Sequence, residues 1–359
     1  MATTDDLLVQ RFNEAQQELV LQSADLSLRT VASMVDGGAI DPSPQFQRRE
    51  RWSPFKQSAL IESFILNIPV PPVYLAEDEL GTYSVIDGKQ RITAIRAFLR
   101  DEFALRDLSR FSDLHGYRCS ELPRQIQNAL DLRPLRAITL LNQSNPAYKY
   151  EVFHRLNTGG EILNPQEIRN VIYRGPLNDL VLDLSGHDFL RHQLKILGPR
   201  SSAYKNMADA EYVLRFLTLQ EDWTHFSGDF ALSMNLFMER HGSDQSTRLN
   251  ALSKKFERAL QACKDLWGIH AFHRPEGSAW RDQTLAGMYD AQMVAVSELS
   301  DAVLRRLINP LQWPAREVVR TLFKDPTFDA AVREATNTPS RVQFRIGALK
   351  DALIAAAES

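Results

Sequence analysis

The residues of this chain best suited to chemistry are five in a row, Asp87, Gly88, Lys89, Gln90 and Arg91. They stand between a β-rich run, Thr82 to Ile86, and a stretch that carries Ile92, Ile95, Phe98 and Leu99 at helical spacing. The unit reads as strand, glycine turn and helix N-terminus. Such an N-terminus offers unpaired backbone N–H groups and the positive end of the helix dipole, and a glycine before it lets the backbone approach an anion closely. Lys89 and Arg91 add charge, and arginine grips a phosphate through two parallel bonds. Asp87 repels phosphate; it suits a helix cap, a metal ligand or an orienter of water. A purely structural alternative stays open, in which Asp-Gly is the turn before a helix and the next three side chains are solvated. Two cations at that end oppose the dipole, which weakly favours an anionic ligand.

Two further clusters carry the same kind of chemistry. Gln47, Arg48, Arg49 and Arg51, followed by Trp52, combine guanidinium groups with an aromatic ring that would bind phosphates and stack a base. The alternative is a solvated charge run beside a partly buried tryptophan. Further on come Arg155, Asn157, Gly159, Gly160, Asn164, Glu167, Arg169 and Asn170. The oxygens of Asn157 and Glu167 suit Mg²⁺ and Arg169 suits phosphate. The alternative here is a glycine C-cap and an Asn164 N-cap, with Glu167 and Arg169 as surface charges. His270 and His273 lie three apart with no Cys, Asp or Glu at zinc-ligand spacing, so a surface pair is expected and not a metal site. The chain has no G-x-x-x-x-G-K-[ST] loop and no G-x-S-x-G elbow.

The elements that must position these residues follow from pattern. Leu28 to Met34 is an amphipathic stretch stopped at Gly37-Gly38. Asp41 to Pro44 is held extended by two prolines. Ser53-Pro54 reads as an N-cap and first turn for a helix over Phe55 to Asn67. Val70 to Ala76 and Thr82 to Ile86 read as a strand pair around the acidic turn Asp78 to Gly81, and Ile138 to Leu141 as a further strand. A helix is expected from Asn145-Pro146 through Leu156 and another from Gln166 to Tyr173. Beyond these the periodicity is helical, at Met207 to Leu219, Phe230 to Glu239, Leu249 to Trp267, Thr284 to Leu299 and Val342 to Ala357.

Composition bounds the answer. With 359 residues, 44% hydrophobic and 24% charged, the chain has material for a substantial core and is neither disordered nor fibrous. Its net charge of -3 gives no general attraction to nucleic acid or to an anionic membrane. The apolar stretches are too short and interrupted to span a bilayer. Two cysteines make no disulfide framework, and a cytoplasmic location is expected.

Together, Ile40 to Arg48, Trp52, Ile68 to Val73, Ile86 to Arg91, Phe153 to Gly160 and Leu163 to Asn170 resemble the ParB/sulfiredoxin-like domain that forms the N-terminal part of GmrSD-type (type IV) restriction enzymes and of SspE. The family hallmark is Asp-Gly-Gln-Gln-Arg, and this chain departs from it at Lys89. The resemblance is specific from about Leu28 to Gly175. It implies an α+β fold, a small mixed sheet with helices at the N-terminus followed by an all-α region, divided as a helical extension over 1–27, the nucleotide-binding domain over 28–175 and a helical domain over 176–359. It implies nucleoside-triphosphate binding, and in some relatives hydrolysis, coupled to defence against phage or foreign DNA. In that reading Gln47, Arg48, Trp52, Gly88, Lys89, Arg91, Arg155, Asn157 and Arg169 bind the nucleotide. Asp87, Gln90, Arg91 and Glu167 carry the chemistry, and Asn157 and Glu167 hold Mg²⁺. Restriction relatives add a C-terminal His-Asn-His nuclease. The histidines of this chain's second half (His187, His192, His225, His241, His270 and His273) are not in such a setting, so nuclease activity is not carried over. A separately encoded effector is the expected partner, and a homo-oligomer is compatible with the reading. The alternatives are a ParB-like DNA-binding protein or nuclease and a non-catalytic helical adaptor.

Overall fold

The structure, a computed structural model, describes residues 4–42, 52–78, 80–156, 164–198, 201–308 and 313–358. The chain divides into two compact units, Met1–Ile172 and Tyr173–Ser359.

The first unit runs α1 (Thr4–Gln17), β1 (Leu21–Ser27), α2 (Leu28–Asp36), β2 (Ile40–Asp41), α3 (Pro54–Ile65), β3 (Val73–Glu77), β4 (Tyr83–Asp87), α4 (Lys89–Leu99), α5 (Arg124–Leu132), β5 (Pro134–Leu140), α6 (Pro146–Leu156) and α7 (Pro165–Ile172). The strands form one mixed sheet in the order β1-β5-β3-β4-β2. β1 with β5 and β3 with β4 are antiparallel, whereas β3 with β5 and β2 with β4 are parallel. Side chains alternate across a strand, so each strand feeds two layers. On one face Val73, Leu75, Val85, Leu135 and Ala137 pack with Val31, Ile61, Phe64, Ile92, Ile95 and Phe98 from α2, α3 and α4. On the other, Ala76, Ile86 and Leu140 pack with Phe153, Ile168 and Val171 from α6 and α7. Each Val, Leu, Ile or Phe among them contributes about 1.5–3 kcal/mol on burial, and β4 is covered on both faces.

The helix between β2 and β3 starts where the caps place it. Ser53 accepts from the Lys56 N–H, and Pro54 occupies the first turn. Its Glu62 is buried and accepts from the N–H of Ser109, Arg110 and Phe111 at 3.0, 2.6 and 3.1 Å and from the Ser109 hydroxyl at 3.0 Å. Burial opposes the charge, but these donors outweigh it and hold the Glu62 carboxyl below its ordinary value. A depressed pKa in the folded state contributes stability that is complete above the unfolded value and is lost as pH falls through the folded one. Glu62→Gln turns an amide NH₂ toward N–H donors and is expected to cost about 1–3 kcal/mol at neutral pH. Urea unfolding should show that difference shrinking as the pH is taken below the ordinary value of 4.5.

The second unit is built from α8 (Pro176–Ser185), α9 (Asp188–Gln193), α10 (Ser202–Lys205), α11 (Ala208–Asp222), α12 (Phe230–His241) and α13 (Ser246–Trp267), followed by a short hairpin of β6 (Arg274–Glu276) and β7 (Ala279–Arg281). It ends with α14 (Ala286–Glu298), α15 (Asp301–Leu307), α16 (Pro314–Leu322), α17 (Pro326–Arg333) and α18 (Pro339–Glu358). α14 is buried on all sides from Gly287 to Val296, the signature of a helix at the centre of a bundle. α11, α13, α17 and α18 pack against it. At its middle Asp290 takes two hydrogen bonds from Arg215, at 2.5 and 2.6 Å, and one from Arg345 at 2.5 Å.

The expected fold class, a small mixed sheet with helices followed by a helical region, is the one observed. Two details differ. Residues 21–27 are a strand and not part of a helical extension; Leu-Gln-Ser-Ala-Asp-Leu-Ser lacks β-branched residues and owes its conformation to the β5 ladder. The region expected to be all-α holds a hairpin of β6 and β7, whose three-residue strands are too short to show a period, so it is not wholly α. Both cysteines are buried free thiols, and burial pushes Cys119 up to about 11.

Candidate functional site

β4 ends at Asp87, and α4 starts at Lys89, with Gly88 between them as the N-cap. Gly88 has φ +93°, in the left-handed region, and a Cβ there would lie 2.5 Å from Val73 Cγ1. Val73 begins β3 and is buried in the core, so it cannot yield. Glycine is therefore demanded twice, by backbone conformation and by close approach. Gly88→Ala incurs left-handed strain and overpacking of about 1–3 kcal/mol each. Chemical denaturation should show the loss, and Val73→Ala in the same chain should relieve the overpacking part.

The Gly88 carbonyl accepts the first intrahelical bond, from Ile92 N at 2.9 Å. The N–H groups of Lys89, Gln90 and Arg91 have no carbonyl of their own helix to use. Gly88, as N-cap, has no side chain to offer these groups. Asp87, for which a cap was one expected role, serves Arg91 instead: Arg91 Nη2 donates to Asp87 Oδ2 at 2.7 Å and to the Pro72 carbonyl at 3.2 Å. The Arg91 side chain is 14% exposed and that of Asp87 41%. Arg91 Nε is buried with no hydrogen-bond partner among the described residues. The guanidinium is thus fixed on one side and keeps donor capacity at the start of α4.

Gln90 ties a second segment to the turn. Its Oε1 accepts from the Trp52 N–H at 3.0 Å, and Gln57 Nε2 donates to the Trp52 carbonyl at 2.9 Å. The Trp52 ring packs against the core beneath α3 and α4. β2 runs parallel to β4, with Asp41 opposite Ser84. Both flanks of residues 43–51 are therefore anchored next to the strand and helix that frame Gly88. Gln47 and Arg48, with Arg49 and Arg51, lie outside the described residues, as do Asn157, Gly159 and Gly160.

The third cluster sits on the opposite face of the sheet from α4. Asn164 Oδ1 accepts from the N–H of Gln166 and Glu167, both at 2.9 Å, and Glu167 Oε2 accepts from Asn164 N at 2.7 Å. This is a reciprocal capping box at the start of α7. Glu167 and Arg169 are each 1% exposed, so neither is a surface charge; Arg169 Nη1 donates to Gln166 Oε1 at 3.0 Å. Arg155 lies on α6, exposed and ion-paired to Glu151 at 2.6 Å. Among the described residues no group of three or more His, Cys, Asp and Glu can hold an ion, and Glu167 has one oxygen committed to its own helix.

His273 is buried and not on the surface, with its ring 6.5 Å from that of His270, which stacks on Trp280. Burial lowers the pKa of both. Sequence reasoning missed the partners that make the turn rigid, Pro72, Val73 and Gln57. The paired prolines at 71 and 72 before a β-rich run were the available signal for the first two.

Residues 31–174 match the family model described as the GmrSD restriction endonuclease, N-terminal domain. No match was found among curated proteins or among solved structures. None of the described helices is long and apolar enough to cross a membrane.

Proposed function

We propose, from the premise that residues 31–174 are a domain of the GmrSD restriction endonuclease N-terminal family, that the chain is a nucleoside-triphosphate-binding and hydrolysing component of a restriction-type defence system. The observation that carries this reading is the turn at Gly88. A glycine that tolerates no Cβ places a helix N-terminus beside a largely buried arginine whose Nε has no hydrogen-bond partner among the described residues. That combination supports an anionic group of phosphate size, because the positive end of the helix dipole and the guanidinium both favour negative charge there. In this reading Lys89 and Arg91 neutralise the phosphates, Asp87 holds Arg91 at the proper angle, and Gln90 keeps Trp52 at the site. Mg²⁺ would arrive with the triphosphate and contribute charge neutralisation, and no step is assigned to it.

The net charge of -3 fits a compact nucleotide site better than a long DNA track. Nucleotide occupancy would then gate a separately encoded effector. The test is a panel of the four ribonucleoside triphosphates with Mg²⁺, scored for binding and for phosphate release. Binding of at least one, with release above the protein-free rate, is the expected outcome. Binding without release would limit the function to sensing, and binding of none would overturn the reading.

A further inference from the structure

β1 is the outer strand of the sheet and, among the described residues, pairs only with β5, in continuous register from Leu21 opposite Leu140 to Ser27 opposite Pro134. Its other edge presents a row of backbone donors and acceptors to solvent, a template for a further strand. Most devices that blunt such edges are missing: Leu21 to Ser27 contains no Lys and no Pro, and the ladder shows no register shift. The single charge, Asp25, is held by Arg136 at 2.8 Å. From Leu21 to Asp25 every side chain is exposed.

α1 lies three residues upstream. Every α1 side chain that the structure describes is exposed, among them Leu7 at 53%, Leu8 at 57%, Val9 at 59% and Phe12 at 63%. A helix of 14 residues with no buried face is marginal in water, since helical stability in proteins comes mainly from packing of an apolar side. Leu8 and Phe12 stand one turn apart on the same side. An open edge and an uncovered helix are thus joined by residues 18–20, and whatever pairs with the edge also meets the helix.

We propose that β1 and α1 form the interface of a homodimer, in which a second copy pairs its own β1 antiparallel to the first about a two-fold axis at Ala24. The sequence of the strand tolerates pairing with itself in that register. Leu21 faces Ser27, Gln22 faces Leu26, Ser23 faces Asp25 and Ala24 faces Ala24, so no like charges oppose one another. A register centred on Asp25 would set two aspartates opposite each other. The axis makes the contact isologous, and the same event brings the second α1 to the joint, so both exposed apolar faces gain cover at once. A foreign extended peptide would satisfy the edge and leave α1 bare.

The test uses the full chain and sedimentation equilibrium. Wild type is expected to be dimeric. Ala24→Lys and Ala24→Glu each place like charges opposite one another and should raise the dimer Kd about fivefold or more; an equimolar mixture of the two should dimerise more tightly than either alone. Leu8→Asp with Phe12→Asp should weaken the dimer by about tenfold or more. Ala24 and both α1 positions are exposed, and circular dichroism should confirm that each variant stays folded. A wild type that remains monomeric at the highest concentration tested, or a mixture no tighter than the single variants, would overturn the proposal. A monomer that instead captures an extended peptide on β1 would do the same.

Discussion

Arg91→Ala is expected to weaken triphosphate binding by roughly 10- to 100-fold while leaving the unit folded. A charge-assisted hydrogen bond is worth about 1.5–3 kcal/mol, and each 1.4 kcal/mol is about a factor of ten in Kd. The side chain is placed for that role by bonds that do not exhaust it. Nη2 is committed to Asp87 and Pro72, and Nε lies buried without a partner among the described residues. Arg91→Lys keeps the charge but loses the planar fork, so it should recover only part of the affinity. Removing the guanidinium leaves Asp87 without its cation, but that carboxylate is 41% exposed and water replaces the partner at small cost in stability. Calorimetric titration checks the affinity, and thermal unfolding without nucleotide checks the fold. Because the contact is electrostatic, the wild-type Kd should also rise with salt.

The largest loss of stability is expected at Asp290. It is fully buried in the second unit between Arg215 and Arg345, whose side chains are 9% and 0% exposed. One carboxylate thus serves two guanidiniums. Burial works against both cations. For Arg215, bound through two nitrogens and stacked 3.4 Å from the Phe230 ring centroid, the pairing with Asp290 outweighs burial and raises its pKa. For Arg345 burial dominates and lowers it, although Nη1 also donates to the Ala331 and Thr336 carbonyls at 3.1 and 2.7 Å. Asp290→Ala leaves two buried positive charges facing a void. Breaking a buried pair by removing one partner costs about 3–5 kcal/mol, a large fraction of the stability of an ordinary domain. Urea denaturation followed by tryptophan fluorescence measures the loss. Replacing all three residues together by apolar ones of similar volume should restore much of it, because no uncompensated charge remains. If Asp290→Ala unfolds within about 1 kcal/mol of wild type, the cluster is not the lock on α11, α14 and α18 that its geometry implies.

Much of the first unit was legible in the sequence because its signals are local. Ser53-Pro54 starts α3 by cap chemistry, and the Asp87-Gly88 turn stands between an alternating run and a helical period. Each is decided within a few residues, and each lies where it was read. β1 was illegible because its conformation depends on a partner more than 100 residues away, and Leu-Gln-Ser-Ala-Asp-Leu-Ser has no preference to announce it. The pairing of Arg91 with Asp87 four residues back was accessible in principle from helical spacing. The Gln90 bond to Trp52 was not, since nothing short of the tertiary fold brings positions 52 and 90 together. Similarly, Glu167 and Arg169 read as ligands or surface charges, and only the packing of α7 on the sheet shows them to be buried. The same limit applies to Asp290, Arg215 and Arg345, which are separated along the chain and meet only at the centre of the helical unit.

The most direct test of the account is an isothermal titration of a ribonucleoside triphosphate, with Mg²⁺, into wild type and Arg91→Ala, repeated with the corresponding nucleoside. Saturable binding of the triphosphate to wild type, weakened at least tenfold in Arg91→Ala and absent for the nucleoside, is the result predicted by a phosphate site at Gly88 to Arg91. Equal triphosphate affinity in the two proteins, or binding of the nucleoside as tightly as the triphosphate, would contradict it.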